Sequence, residues 1–174
     1  MACDHAQFRH SVDHDALLDF LLESERLLII QDLDGVCMEL VNDPLCRQLS
    51  LDYLKAAQLL AGEFFVLTNG EHIGSRGVNG LVEQACEVLD PAGNELYLPG
   101  LAAGGVQFQT AAGVVSHPGV SADELAFLRQ VPEQGRRWLT ETLAGPAYGL
   151  APKVAAQIAE TCMLDNRVSP TLNL

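Results

Sequence analysis

The chain has 174 residues, 48% of them hydrophobic and 19% charged, enough to bury a self-sufficient core and too apolar for a disordered polymer. Ten Lys and Arg against 23 Asp and Glu give a net charge of −13, a surface that repels nucleic acid and anionic lipid. No apolar run reaches the roughly 18 residues of a membrane span, and the polar start from Met1 to Asp15 has no apolar stretch of the secretory type. The expectation is a cytoplasmic protein of roughly one domain, with neither nucleic acid nor membrane as partner. Cys3, Cys37, Cys46, Cys86 and Cys162 are odd in number and form no C-x-x-C, which points to reduced thiols rather than a disulfide framework or zinc site. His5, His10 and His14 read as part of a solvated tail.

In chain order, Leu17, Leu18, Leu21 and Leu22 recur at helical spacing after Asp13, an N-cap residue type. Leu27 to Gln31 is a short apolar run that fits a strand buried on both faces, and it stops at Asp32-Leu33-Asp34-Gly35. Asn42-Asp43-Pro44 breaks the next segment. Ser50 opens a helix to about Ala61. Phe64 to Leu67 is a second strand pattern, ending in Thr68-Asn69-Gly70. Val78, Leu81, Val82, Ala85, Cys86 and Leu89 mark one apolar helical face. This alternation predicts a parallel α/β sheet. After Leu89 the character changes: Glu95 to Pro99, Val106 to Thr110 and Val114 to Ser116 read as short strands. Ser121-x-x-Glu124 is a capping box opening a helix to about Gln130, and Pro132, Pro146 and Pro152 punctuate the helical pieces that follow.

The candidate chemistry sits at the ends of the two apolar strands. In an open parallel sheet, ligands bind at the carboxyl ends of strands. Residues i and i+2 of extended chain point the same way, so Asp32 and Asp34 face one pocket, with Thr68 beside them if the strands are neighbours. Paired carboxylates repel unless a cation joins them, and Mg²⁺ suits carboxylate and phosphate oxygens. One carboxylate can attack phosphorus while the other protonates the leaving alkoxide and then activates water. The Thr68 hydroxyl and the N–H groups of Asn69 and Gly70 suit phosphoryl oxygens. An Asx-turn with a helix N-cap at a strand end is the structural alternative, and spacing leaves both open.

Leu28 to Gly35, an apolar strand running into D-x-D-G, resembles the first motif of the haloacid dehalogenase superfamily. Phe65 to Gly70 resembles the second. The match extends to Gln31–Met38 with Asp43-Pro44-Leu45, to Leu67–Gly74 and Arg76–Asn79, to Tyr97–Gln107, His117–Ser121 and Ser169–Leu174. These segments are similar to the glucosylglycerol-3-phosphate phosphatases of cyanobacteria and some other bacteria. The resemblance implies an α/β fold: a Rossmann-like parallel-sheet core of the haloacid dehalogenase type, with the beginning of an α+β cap. It implies Mg²⁺-dependent hydrolysis of a small sugar phosphate, glucosylglycerol 3-phosphate, to a compatible solute used under salt stress, through an aspartyl-phosphate. Asp32 is then the nucleophile and Asp34 the general acid/base, Mg²⁺ is held by Asp32 and by the backbone carbonyl of Asp34, and Thr68, Asn69 and Gly70 bind the phosphoryl group. A phosphatase for a sucrose- or trehalose-type phosphate and a non-catalytic sugar-phosphate-binding domain are the alternatives.

The same resemblance implies a longer protein. Its third motif, a Lys, and its fourth, an acidic strand end, lie toward the C-terminus of family members. Here the only late lysine is Lys153, in the first-turn position after Pro152, and Asp165-Asn166 follows without a strand pattern. The expectation is residues 1–115 as the first part of the core, 116–174 as the start of the cap, and weak turnover by the chain alone. Glu71, His72 and Arg76 stand as rim residues able to meet sugar or phosphate. Cys37 reads as a packed side chain and Trp138 as a helix contact.

Overall fold

The computed structural model of the chain describes residues 14–41, 46–74, 76–164 and 166–173. The N-cap expected at Asp13, the break at Asn42-Asp43-Pro44 and Asp165 lie outside them. Helix α1 (His14–Leu22) leads into strand β1 (Ile29–Gln31), followed by α2 (Leu51–Leu59), β2 (Phe64–Leu67), α3 (Val78–Cys86) and β3 (Gly100–Ala102). Two more strands, β4 (Gln107–Gln109) and β5 (Val115–Ser116), precede a long helix α4 (Ala122–Ala144), helix α5 (Pro152–Cys162) and the short strands β6 (Met163–Leu164) and β7 (Thr171–Leu172).

Strands β1 to β5 lie side by side in chain order. The first three are parallel, with Gln31 opposite Val66 and Leu67 opposite Leu101. The last two are antiparallel additions. The expected parallel core therefore covers β1 to β3, and the change of character after Leu89 is the switch to hairpins. β6 and β7 pair as a separate antiparallel ribbon.

Local chemistry explains most boundaries. Ser50 caps α2 by accepting the Tyr53 N–H at 3.1 Å. Ser121 and Glu124 close a complete capping box on α4, which satisfies two of the donors that a helix start leaves open. The α4 helix, however, runs on through Pro132 instead of stopping near Gln130. Proline removes one helical bond, here toward the Leu128 carbonyl, at roughly 3 kcal/mol. Pro132 is itself buried, and α4 packs along α5, so tertiary contact outweighs the missing bond. Gly135 makes room for Met163: an added Cβ would stand 2.7 Å from its sulfur.

The strand expected at Glu95–Pro99 begins instead at Gly100. Residues 91–96 are spent on a turn in which the Leu96 N–H reaches the Pro91 carbonyl at 2.8 Å. Gly100, at φ +140°, lies so close to β2 that a Cβ would fall 2.1 Å from the Val66 carbonyl oxygen. Only glycine fits this approach.

Helices α2 and α3 cover one face of the sheet. Leu33, Leu54, Phe64, Val66, Val78, Val82 and Leu98 form the core there, each buried side chain contributing about 1.5–3 kcal/mol of transfer free energy. Register partners in a sheet point to the same side. Ile30, Phe65, Leu67 and Leu101 accordingly share the opposite face, where Ile30 remains 61% exposed and Leu67 49%. Strand β1 closes one end of the sheet order. Among the described residues no helix is long and apolar enough to cross a membrane.

Candidate active site

The parallel register brings the ends of β1 and β2 together, as the spacing of the motifs anticipates. Leu33 is fully buried, which turns Asp32 and Asp34 to its opposite side. The chain then reverses over Gly35 (φ +78°), whose N–H bonds the Met38 carbonyl at 2.9 Å, while the N–H groups of Cys37 and Met38 return to the Leu33 carbonyl. A side chain at Gly35 would be strained in this left-handed conformation.

The two carboxylates have different surroundings. Asp34 lines a cleft of about 380 Å³ together with Arg47, Asn69, Gly70, Glu71, Arg76 and Arg167. Asp32 is exposed, accepts the Leu33 N–H at 2.8 Å, and is not among the residues lining that cleft. The two carboxylates expected to face one pocket are thus separated, with Asp34 alone lining the cleft. Thr68 is buried, and its hydroxyl oxygen accepts the Gly70 N–H at 3.2 Å, which fixes the turn over which Asn69 and Gly70 reach the cleft.

Arg47 is a site residue that sequence reasoning passed over. Its guanidinium stands 3.4 Å from the Asp34 carboxylate and also donates to the Arg76 carbonyl. It is 7% exposed, a buried cation in a chain with only ten basic residues. That scarcity was the one available signal.

Glu71 and His72 are not rim residues. His72 is wholly buried, its Nε2 at 3.0 Å from the Gly100 carbonyl and its backbone N–H bonded to Gln107 Oε1 at 2.9 Å. A carbonyl only accepts, so Nε2 carries the proton, and burial holds the ring's pKa below its usual value. The backbone carbonyls of Glu71 and His72 accept the N–H groups of Val78 and Asn79 at 2.9 Å each, serving the open start of α3. The Glu71 carboxylate accepts the backbone N–H groups of Val168 at 2.9 Å and Ser169 at 3.2 Å, so the β6–β7 ribbon is tied over the cleft. Burial raises the Glu71 pKa, a push that these two donors and the nearby Arg167 charge partly offset.

Cys37 is half-buried, and desolvation raises its thiol pKa, with Asp34 and Asp32 adding to the rise. It is packed against the core, as expected. Trp138 is 59% exposed on α4 rather than packed as a core contact. Lys153 is exposed in the first turn of α5 and lines no part of the cleft. Among the described residues no group of three or more His, Cys, Asp or Glu comes together. The Asp32 carboxylate and the Asp34 backbone carbonyl are hard oxygen donors of the kind that would suit Mg²⁺, which keeps several waters and shares substrate phosphate.

The family model of glucosylglycerol-phosphate phosphatases matches residues 26–174. The chain belongs to that family. A glucosylglycerol-phosphate phosphatase from Synechocystis sp. is 52% identical over 169 residues, which are 97% of this chain and 40% of the relative. The chain thus spans less than half the length of that glucosylglycerol-phosphate phosphatase. The stretch matched by the family takes in both aspartates, Thr68, Glu71 and the β6–β7 ribbon, so the whole cleft lies inside it.

Proposed function

We propose that this chain carries the nucleophile-bearing part of a Mg²⁺-dependent phosphoric monoester hydrolase that converts glucosylglycerol 3-phosphate to glucosylglycerol. The observation that carries this reading is family membership over residues 26–174, joined to the position of Asp32, Asp34 and Thr68 at adjoining ends of two parallel strands. The reading gives Asp32 the attack on phosphorus, with its exposed carboxylate reachable from solvent. An aspartyl-phosphate forms as the P–O bond to the sugar alcohol breaks. Asp34 gives its proton to the departing alkoxide and then takes one from the water that releases phosphate. Thr68, Asn69 and Gly70 hold phosphoryl oxygens. Mg²⁺ would be held by the Asp32 carboxylate and the Asp34 backbone carbonyl, and would supply charge neutralisation for the phosphoryl group.

No lysine lines the cleft, an observation that favours low turnover by these residues alone, or sugar-phosphate binding without turnover. Removing one electrostatic contact of this kind typically lowers rate by about 100–1,000-fold. Phosphate release from glucosylglycerol 3-phosphate separates the readings. Hydrolysis that disappears in Asp32→Asn, with phospho-enzyme accumulating in Asp34→Asn, supports the covalent mechanism. Activity in Asp32→Asn within about tenfold of the parent overturns it.

A further inference from the structure

Arg167 occupies an unusual place. It lies between Asn166 and Val168 in the turn joining β6 to β7, and its backbone φ is +45°. A non-glycine residue in the left-handed region persists only where the surroundings hold it, and such residues concentrate at ligand sites. The hold is visible here. The N–H groups of the next two residues, Val168 and Ser169, both donate to the buried carboxylate of Glu71, on the loop that follows β2. Ser169 also donates to the Asn166 carbonyl at 2.8 Å, which closes the turn around Arg167. Its side chain lines the same cleft as Asp34, Asn69 and Gly70.

The charge distribution points to what the cleft takes. The molecule carries ten basic residues against 23 acidic ones, yet three arginines, Arg47, Arg76 and Arg167, line this single cleft. Arg47 is committed to Asp34 and to the Arg76 carbonyl. Arg167 joins the same lining from an element remote in sequence from the two motifs. A guanidinium matches the oxygens of a phosphate in a bidentate manner, and on a molecule of this net charge an anion needs a local concentration of cations to approach.

We propose that Arg167 binds the phosphoryl group in this cleft and that Glu71 is the positioning residue that holds it there, an inference that rests on the phosphatase reading for its substrate class. Glu71 acts through the N–H groups of Val168 and Ser169, which fix where Arg167 stands.

Calorimetric titration of the 174-residue chain with inorganic phosphate tests this, at a temperature where circular dichroism shows every variant folded. Arg167→Ala is expected to weaken phosphate by about tenfold or more, as for a lost charged hydrogen bond, and Arg167→Lys to recover part of it. Arg167 is exposed, so these changes leave the core intact. Glu71→Ala is expected to weaken phosphate although every arginine remains, whereas Glu71→Gln, which keeps an acceptor oxygen for the two N–H groups, preserves most of the affinity. Equal phosphate affinity in the parent and Arg167→Ala, or no phosphate binding by the parent, overturns the assignment of Arg167. Loss in Arg167→Ala with none in Glu71→Ala overturns the positioning role. Sugar-phosphate hydrolysis, measured separately, keeps the two readings apart. Arg167-dependent phosphate binding without Asp32-dependent turnover overturns the phosphatase reading alone. Asp32-dependent turnover with phosphate affinity indifferent to Arg167 overturns this inference alone.

Discussion

Asp34 and Arg47 face each other at 3.4 Å across a boundary between solvent and core, the carboxylate side chain 40% exposed and the guanidinium side chain 8%. With one partner so wet, the ion pair itself contributes only about 0–1 kcal/mol. Arg47 also contributes through its buried stem and its bond to the Arg76 carbonyl, which ties the segment before α2 to the loop before α3. Arg47→Met keeps the stem and removes the charge. It is expected to cost about 1–2 kcal/mol in urea unfolding, mostly through the unsatisfied carbonyl. Arg47→Ala, which also empties the packing site, should cost more. Equal losses in the two variants would show that the stem contributes nothing.

Gly100 gives the sharpest stability expectation. Its φ of +140° and the 2.1 Å approach of a Cβ to the Val66 oxygen leave Gly100→Ala no way to keep the β2–β3 pairing. A loss of about 4 kcal/mol or more is expected, seen as insoluble chain or a collapsed melting temperature. Gly104→Ala is the control: it also has positive φ, +64°, but open space around it. That change should cost only about 1–2 kcal/mol.

The pH dependence of stability has a component with a definite sign. Burial raises the Glu71 pKa in the folded chain above its ordinary 4.5. Its contribution is fully present below 4.5 and is lost as pH rises through the folded value, because the unfolded chain releases the proton first. His72 works in the other direction. Its folded pKa lies below 6.5, so its contribution is present above 6.5 and lost as pH falls through the folded value. Glu71→Gln leaves the His72 component in place. The difference in melting temperature between parent and Glu71→Gln, followed upward from pH 4.5, should move against the parent as pH rises. A difference that stays constant would show that Glu71 keeps an ordinary pKa.

Among the described residues strand β1 has no partner on its outer edge, and Ile30 adds apolar surface beside it. Exposed apolar edges recruit other chains, and a lysine on such a strand discourages them. The 18.7 kDa chain is expected to elute larger than a monomer, increasingly so with concentration. Ile30→Lys should shift it toward monomer while changing unfolding free energy by no more than about 0.5 kcal/mol. A parent that is monomeric at all concentrations contradicts this.

The sequence made some of these relationships legible and hid others, for physical reasons. β1, β2 and α3 announce themselves through contiguous apolar runs and a 3.6-residue apolar period, although β1, expected to be buried on both faces, leaves Ile30 61% exposed. β3 is hidden because its decisive residue, Gly100, is recognised by the side chain it lacks. The length of α4 is hidden because proline is a local signal, and contact with α5 overrides it. Around the cleft, Asp32, Asp34 and Thr68 are visible as strand endings. Arg47 and the bond between Glu71 and Val168 are not, since nothing local in either segment records a partner so remote in the chain.

The open edge at β1 also bears on how the site is kept in order. The aspartates of the first motif extend from a strand of three residues that is paired on one side only, so local opening there is easier than at β2, which is held on both sides. Any segment that adds to the free edge of β1 raises the fraction of molecules in which Asp32 and Asp34 are correctly placed. Linkage makes the effect reciprocal: a ligand gripping the two carboxylates tightens the hold of the added strand by the same factor. Completion of the sheet and occupancy of the site would then be one coupled equilibrium, in which a strand added at β1 favours the ordered site as well as the fold.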